Sequence, residues 1–479
     1  MFAEIADKSR PVCLRQTGRD GESMMKLRIL ILIFGDAIAA YLALFIALYI
    51  RYGANFYDHT FAAHIFHFSV IYIIWFFIFI FYGFYGTDGD VRSDNFLKNY
   101  TMAIITAFGA AVFYFYVQTS FNIISPKTFL VIDAGVFFVL SALWRKLLFS
   151  WIWRKGLVKN VVIIGLNENA KNIIREIKNN KQSGYKILFI VNTEEKNNAD
   201  EFDFVKIIRL SDFHQSINAG NSVINLAVIA VDLTNDKRAL DELFSILSFR
   251  KIEFINIFSF YENLTGRILL EPLSKVWFLE NVHYSGFYSF SKRLFDLVAG
   301  VIIGFLFIII LPLTVLAIKI NGKGPIFYRQ SRVGLRNKSF ALFKFRTMVC
   351  DAENNGPMFA QINDKRVTKI GLVLRKLRLD ELPQFVNIIK GEMSLVGPRP
   401  ERRTWIEIFE TEIPFHKERS LVKPGLTGWA QVNWQYSSSI ETMKTRLQYD
   451  LYYIKNRSFL LDLVIIFKTI KIVLAGRGR

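Results

Sequence analysis

Apolar residues fall in four long runs over about the first 150 positions, in short alternating runs beyond them, and then in one more long run followed by mixed, basic sequence. The early runs, at 29–50, 61–82, 101–117 and 129–149, each approach the roughly 20 residues a helix needs to cross a bilayer. Four spanning helices are expected. Arg10, Arg15, Arg19, Lys26 and Arg28 precede the first, and Arg145, Lys146, Arg154, Lys155 and Lys159 follow the fourth. Basic residues gather on the cytoplasmic side, so both flanks are assigned there, and the loops carrying Arg51 and Lys127 are assigned outside. Residues 1–26 lack the small-residue cleavage site of a signal peptide, so the first helix is expected to be retained.

From Asn160 the pattern changes to "NVVIIGLNENAKNIIREIK", "YKILFIV", "NLAVIAV" and "KIEFINIF". Short β-branched runs separated by helical periodicity predict a parallel α/β sheet. The first strand ends at Gly165-Leu166-Asn167-Glu168-Asn169-Ala170, which keeps one glycine of the dinucleotide fingerprint. A pyrophosphate cannot approach such a turn closely, so a degenerate Rossmann-like domain with a structural or regulatory role is expected.

The fifth apolar run, "LFDLVAGVIIGFLFIIILPLTVLAI" at 294–318, contains Pro312, which removes a helical hydrogen bond and crowds the preceding turn. Lys292 and Arg293 lie before it, Lys319 and Lys323 after it. Basic residues at both ends predict a re-entrant helix, over 291–320, that turns at Leu311-Pro312 and leaves on the side it entered. The alternative is a kinked spanning helix.

Composition supports a membrane protein with soluble parts, since 52% of the 479 residues are hydrophobic and 46 are Phe. Cys13 and Cys350 stand far apart with no Cys or His at metal-ligand spacing nearby, so neither a disulfide framework nor a zinc site is suggested. The net charge is +19, and from Ser291 onward 31 Lys and Arg face 15 Asp and Glu. So lopsided a charge calls for an anionic partner such as a nucleotide diphosphate, a phospholipid headgroup or nucleic acid.

In this basic part "RKLRLDELPQ" sets Asp380 and Glu381 side by side among arginines, which on spacing alone reads first as a surface ion-pair network and second as a reaction site. Around it lie "GPIFYRQSRVG", "FKFRTM", "DAENNG", "DKRVTKIGLVLRKLRLDELPQFVNIIKGEMSLVGPRPE" and "KPGLTGWAQVNW". This ordered set closely resembles the bacterial sugar transferases, monotopic phosphoglycosyl transferases that begin polysaccharide repeat units on polyprenyl phosphate. The resemblance covers roughly Ser291 to Arg479, and the helices and α/β segment ahead of it match the long form of the family.

The resemblance implies transfer of a sugar 1-phosphate from a UDP-sugar to undecaprenyl phosphate, with release of UMP, through a covalent intermediate, as the first membrane step of exopolysaccharide, capsule or O-antigen synthesis. It implies that Asp380 is the nucleophile and that Glu381 helps hold Mg2+. The chemistry is consistent: a carboxylate attacking a pyrophosphate meets an anion, so the site must supply positive charge. Mg2+ takes one or two carboxylates with phosphate oxygens. Pro383 is expected to end the helical turn and expose the acid pair. By the same match Lys344, Arg375 and Arg399 line the phosphate and nucleotide site, with Arg346 two positions from Lys344, and Arg366 and Arg378 are further candidates. Lipid-headgroup contact is the alternative role for these bases. Pro398 and Pro400 should hold Arg399 in a rigid extended segment. "KPGLTGWAQVNW" is expected to pack near the site without a chemical role.

Two departures from the family pattern stand out. Many members break the hairpin at Ser-Pro, where this chain has Leu311-Pro312, and Leu377-Arg378 replaces small hydroxyl residues before "LDELPQ". The expected organisation is a cytoplasmic segment 1–28, a four-helix transmembrane bundle 29–150, the degenerate Rossmann-like domain 158–280, and a mainly α monotopic catalytic domain 288–479 on the cytoplasmic face of the bacterial inner membrane. Expected partners are a UDP-sugar, undecaprenyl phosphate and membrane lipids, with no nucleic acid; a homo-oligomer is compatible with the sequence. Membrane-bound nucleotide-sugar dehydratases fit less well, because Tyr288 and Lys292 have the needed spacing but no Rossmann strand leads into them. A scaffold with a dead transferase domain has no chemical need for Asp380, Glu381, Lys344, Arg375 and Arg399 together. No motif identifies the sugar.

Overall fold

The computed structural model describes residues 12–53, 60–85, 96–119, 127–154, 159–179, 184–192, 205–209, 212–213, 223–230, 243, 252–271, 273–282, 285–322, 324–352, 364–434 and 439–474. The chain divides into two compact units, Met1–Phe260 and Tyr261–Arg479. Arg10, Lys155 and Lys323, whose charges orient helices in the sequence, lie outside the described residues.

Helices α1 (Val12–Tyr52), α2 (Thr60–Phe81), α3 (Phe96–Thr119) and α4 (Lys127–Arg154) are each long and apolar enough to cross a membrane. Phe68, Trp75, Phe79 and Phe137 fill the core they share, and the Ala39, Ala40, Ala43 and Ala47 stripe lets α1 come close to its neighbours. Inside that core Asp36 is paired with Arg145 and accepts from Tyr85 Oη and Ser141 Oγ, each at 2.8 Å. Apolar surroundings make each unpaired charge costly, so α1 and α4 are held in one register.

Next come β1 (Lys159–Ile164), α5 (Glu168–Asn179), β2 (Tyr185–Asn192), β3 (Lys206–Arg209), β4 (Leu226–Ile229) and β5 (Glu253–Asn256). The strands form one parallel sheet in the order β3-β2-β1-β4-β5. That order reverses direction at β1, as in doubly wound sheets. At the turn after β1, Gly165 has φ +94, and Asn167 Oδ1 accepts from Ala170 N at 2.8 Å. A side chain of this protein thus takes a donor that a dinucleotide's phosphates use elsewhere.

The second unit starts at Tyr261, about twenty residues ahead of the expected domain boundary at 280–288. Helix α6 (Ile257–Thr265) leads into it, and α7 (Lys275–Asn281) begins at Ser274, whose hydroxyl accepts from Trp277 N. Ile268 and Phe278 are buried with Phe409, Ile413, Leu447 and Leu451, and Glu262 pairs with Lys455 at 2.7 Å. These residues belong to the core of this unit, which the change from strand to basic sequence did not reveal.

Helix α8 (Gly286–Ile320) carries the fifth apolar run. Its buried residues, Asp296, Gly300, Gly304, Thr314 and Ile318, fall within roughly an 80° arc at 3.6 residues per turn. Large apolar side chains, Phe287 to Ile320, cover the rest of its surface. The expected turn at Leu311-Pro312 is not a break, because the helix runs on through Pro312; such a residue can bend a helix without ending it. Both ends are fastened to the same unit. Near the start, Lys292 Nζ and Tyr288 Oη donate to Asp462 Oδ2 at 2.8 and 2.9 Å; near the end, Arg346 donates to the carbonyls of Ile318 and Gly322.

The hairpin β6 (Phe327–Val333) and β7 (Ser339–Phe345) follows, then α9 (Lys369–Lys376), α10 (Phe385–Lys390), β8 (Ser394–Val396), α11 (Arg403–Glu412), β9 (Gly425–Thr427), α12 (Trp429–Asn433), α13 (Ile440–Asn456) and α14 (Phe459–Leu474). β6 and β7 are antiparallel, and β8 and β9 are parallel. Phe385 sits against Gly304 of α8, and Arg293 caps α10 by donating to the carbonyls of Ile388 and Ile389 at 2.7 Å.

Candidate active site

The acid pair lies on a 3-10 turn, Leu379–Gln384, between α9 and α10. Helix α9 stops because Arg378 adopts φ +54, a left-handed conformation uncommon for a side chain with a β-carbon. Pro383 lies within the turn and does not end it, contrary to expectation. Nor are the acids exposed: Asp380 and Glu381 are only 6% and 7% accessible. Basic side chains around them make that burial tolerable.

Lys344, the next-to-last residue of β7, donates to Glu381 Oε1 at 2.8 Å and stands 4.0 Å from Asp380 Oδ2. Arg399 donates to the same Glu381 oxygen at 3.1 Å, and Arg378 lies 3.5 Å from the other. Burial pushes the Glu381 carboxyl up, but Lys344, Arg399 and Arg378 together outweigh it and hold the group well below its ordinary range. Asp380 shares fewer of these contacts. Burial raises it to about 6, with Lys344 opposing and the Glu381 charge adding to the rise. Burial also lowers Lys344, which the two acids partly offset.

The structure brings Asp380, Glu381, Lys344 and Arg399 together. Arg375 acts on Asp380 through its charge, while its Nε donates to Thr347 Oγ1 at 2.9 Å. Arg346 donates to the carbonyls of Ile318 in α8 and Gly322 just past it, and to Cys350 Sγ. Arg366 grips Asp364 at 2.8 and 2.6 Å, and Arg378 joins Glu381. Sequence reasoning missed Thr347, Arg419 and Arg446. Gly371 carries a signal for the first, since a β-carbon there would stand 2.1 Å from the Thr347 carbonyl oxygen, so only glycine lets α9 approach. Arg419 and Arg446 donate to the Arg399 carbonyl at 3.0 and 3.5 Å, while Arg419 pairs with Asp450 and Arg446 with Glu401. A buried ion network therefore fixes the backbone that carries Arg399.

Among the described residues no three His, Cys, Asp or Glu side chains gather to hold a metal. Glu381 alone fits Mg2+, a hard ion that completes its shell with phosphate oxygens and water.

Such a carboxylate pair, set among buried bases beside an apolar helix, suits chemistry on a phosphorylated substrate at a membrane surface. Residues 287–476 match the family described as bacterial sugar transferase. A relative from Aeromonas hydrophila, named UDP-N-acetylgalactosamine-undecaprenyl-phosphate N-acetylgalactosaminephosphotransferase, is 46% identical over 217 residues, 45% of this chain and 51% of that one. The uncharacterized sugar transferase EpsL of Bacillus subtilis is 38% identical over 39% of this chain and 89% of its own length. UDP-glucose:undecaprenyl-phosphate glucose-1-phosphate transferase of Escherichia coli is 40% identical over 39% of this chain and 40% of its own. This chain belongs to the bacterial sugar transferase family. It spans about half the length of the Aeromonas relative and two fifths of the Escherichia coli one.

Proposed function

We propose that this chain transfers a sugar 1-phosphate from a UDP-sugar to undecaprenyl phosphate, through a covalent intermediate on Asp380. The observation that carries the reading is the unequal treatment of two adjacent carboxylates: one Glu381 oxygen takes Lys344 and Arg399, and the other, with Arg378 3.5 Å away, keeps lone pairs for a metal, whereas Lys344 stands 4.0 Å from Asp380. An oxygen of Asp380 attacks the β-phosphorus, the bond from that phosphorus to the bridging oxygen breaks, and UMP leaves with the electron pair. An oxygen of undecaprenyl phosphate then attacks the same phosphorus and expels the Asp380 carboxylate, giving undecaprenyl-diphospho-sugar. Lys344, Arg375 and Arg399 bind the phosphates and steady the charge on the departing group. Mg2+ held by Glu381 would supply further charge compensation on the pyrophosphate.

The organisation we propose is a four-helix membrane bundle, a Rossmann-like middle domain and a monotopic catalytic domain on the cytoplasmic face of the bacterial inner membrane. Support comes from α8: a bilayer core is about 30 Å thick, and a helix crossing it could not have polar side chains of one soluble unit bonded at both its ends. The substrates in the relatives' names support the lipid acceptor, and the Aeromonas protein's name makes UDP-N-acetylgalactosamine the first donor to assay.

Incubation with a UDP-sugar and no acceptor, followed by digestion and weighing of the peptide containing "LDELPQ", tests the intermediate. A sugar-phosphate mass on Asp380, lost with Asp380→Asn, is expected. Full turnover with no such mass, and activity kept in Asp380→Asn, would mean a direct displacement.

A further inference from the structure

We infer that Glu401 is a positioning residue for the transfer: it touches no reacting group, and through Arg446 and Arg332 it fixes the segment that aims Arg399 at the acid pair. This rests on the transferase reading for the role of Arg399 and adds a residue to which that reading gives no part.

Residues 398–401 set Arg399 between two prolines, so two of the four have no N–H by which to be held. All four carbonyls are held instead. Pro398 accepts from Gly425 N at 2.9 Å, Arg399 from Arg419 and Arg446, Pro400 from Arg332 Nη1 at 3.2 Å, and Glu401 from Val333 N at 3.0 Å. Three of these donors are guanidinium groups, and cations so enclosed need carboxylates beside them. Asp450 takes Arg419 Nε at 2.9 Å. Glu401 takes Arg446 Nη1 at 2.5 Å, and its other oxygen lies 3.9 Å from Arg332.

Glu401 is thus the counter-charge to two of the three grips. Burial pushes its carboxyl up, but Arg446, Arg419, Arg332 and Arg399 outweigh that and hold it below its ordinary range, so it is charged at ordinary pH. Without that charge Arg332, which already feels Arg399 and Arg402, loses the carboxylate that offsets them, and the carbonyls of Arg399 and Pro400 lose firm partners. The β6–β7 hairpin completes the frame. Arg332 and Val333 end β6, and its partner strand β7 carries Lys344. Lys344 and Arg399 meet on one Glu381 oxygen, so holding residues 398–401 to β6 sets the spacing of the two cations.

Calorimetric titration of UDP, the donor without its sugar, into the full-length protein in detergent with Mg2+ tests this. Glu401→Gln keeps the size of the side chain and removes its charge. We expect its dissociation constant for UDP to rise about tenfold, the scale of one hydrogen bond to a charged group, and the KM for the UDP-sugar to rise with it. In an Arg399→Ala chain, which has no guanidinium to aim, the same change should add less than about twofold, because effects that act through one group do not add. A residue that served stability alone would weaken UDP binding equally in both backgrounds. Arg332→Gln, at a position more open than Glu401, should show a smaller rise with the same dependence on Arg399, and it tests the assignment even if Glu401→Gln folds poorly. UDP affinity equal to wild type in these variants overturns the assignment, as does an equal rise with and without Arg399, or a wild type that binds no UDP. If the affinities follow the expected pattern and wild type never releases UMP from a UDP-sugar, the positioning role stands and the transferase reading falls.

Discussion

Lys344 is bonded to Glu381 and only near Asp380: its Nζ is 2.8 Å from the first carboxylate and 4.0 Å from the second. One cation thus neutralises the acid proposed for the metal and leaves the proposed nucleophile largely unengaged. Removing either acid should have different consequences. Glu381→Gln should retain donor binding through Lys344, Arg375 and Arg399 and lose about 100-fold or more in rate, the scale for losing a charge-stabilising group. Its Mg2+ requirement should shift to higher concentration. Turnover and metal titration, measured beside Asp380→Asn, check this.

Asp380, raised to about 6, must be deprotonated to attack. Since the neutral acid is the inactive form, kcat/KM should fall about tenfold per pH unit below that value and level off above it. Lys344 pulls the Asp380 value down, so Lys344→Met should move the acid limb to higher pH as well as slow the reaction. A pH profile of wild type and variant gives both results; an acid limb that stays in place in Lys344→Met would mean that the limb belongs to another group.

Gly371→Ala should destabilise the protein by about 1–3 kcal/mol, the range for forcing extra volume into a packed site. Its β-carbon would meet the Thr347 carbonyl at 2.1 Å, and the neighbour is backbone, which cannot swing aside. Because Arg375 leans on Thr347, the donor KM should rise too. Thermal unfolding and steady-state kinetics measure the two effects.

A chain beginning at Tyr261 should release UMP from its donor in detergent, since every residue with a proposed role lies beyond it. One beginning at Asn281, the point that the sequence motifs alone suggest, loses Ile268, Phe278 and the Glu262 to Lys455 pair. Removing a single large core side chain typically costs 2–5 kcal/mol, so about that much or more should be missing from its stability. Comparing the two melting curves decides it.

Cysteines placed at Phe287 and Asn321, in a chain lacking Cys13 and Cys350, should both resist a membrane-impermeant thiol reagent in intact cells and react after lysis. Labelling of position 321 alone in intact cells would mean that α8 spans the membrane.

The apolar runs were legible because transfer to lipid depends on local sequence, and the observed helices overlap all five. The motif residues were legible as a set. Their arrangement was not, because it depends on partners distant in the chain: β7 brings Lys344 to a turn 37 residues away, and α8 draws Arg346, two positions along, to its own end. Burial of the acids followed the same rule, since nothing in "LDELP" states that three cations converge on Glu381. The left-handed Arg378 went unseen because glycine, not arginine, is the usual marker of that conformation.

Fastening α8 at both ends has a kinetic meaning. A catalytic unit held to the membrane by its own helix keeps Asp380 at a fixed height, and a lipid acceptor moves only in the leaflet, so the two would meet by search in a plane. Rate should then follow the acceptor's mole fraction in the bilayer and ignore its amount per volume of suspension, and diluting the vesicles with buffer should leave turnover per enzyme unchanged.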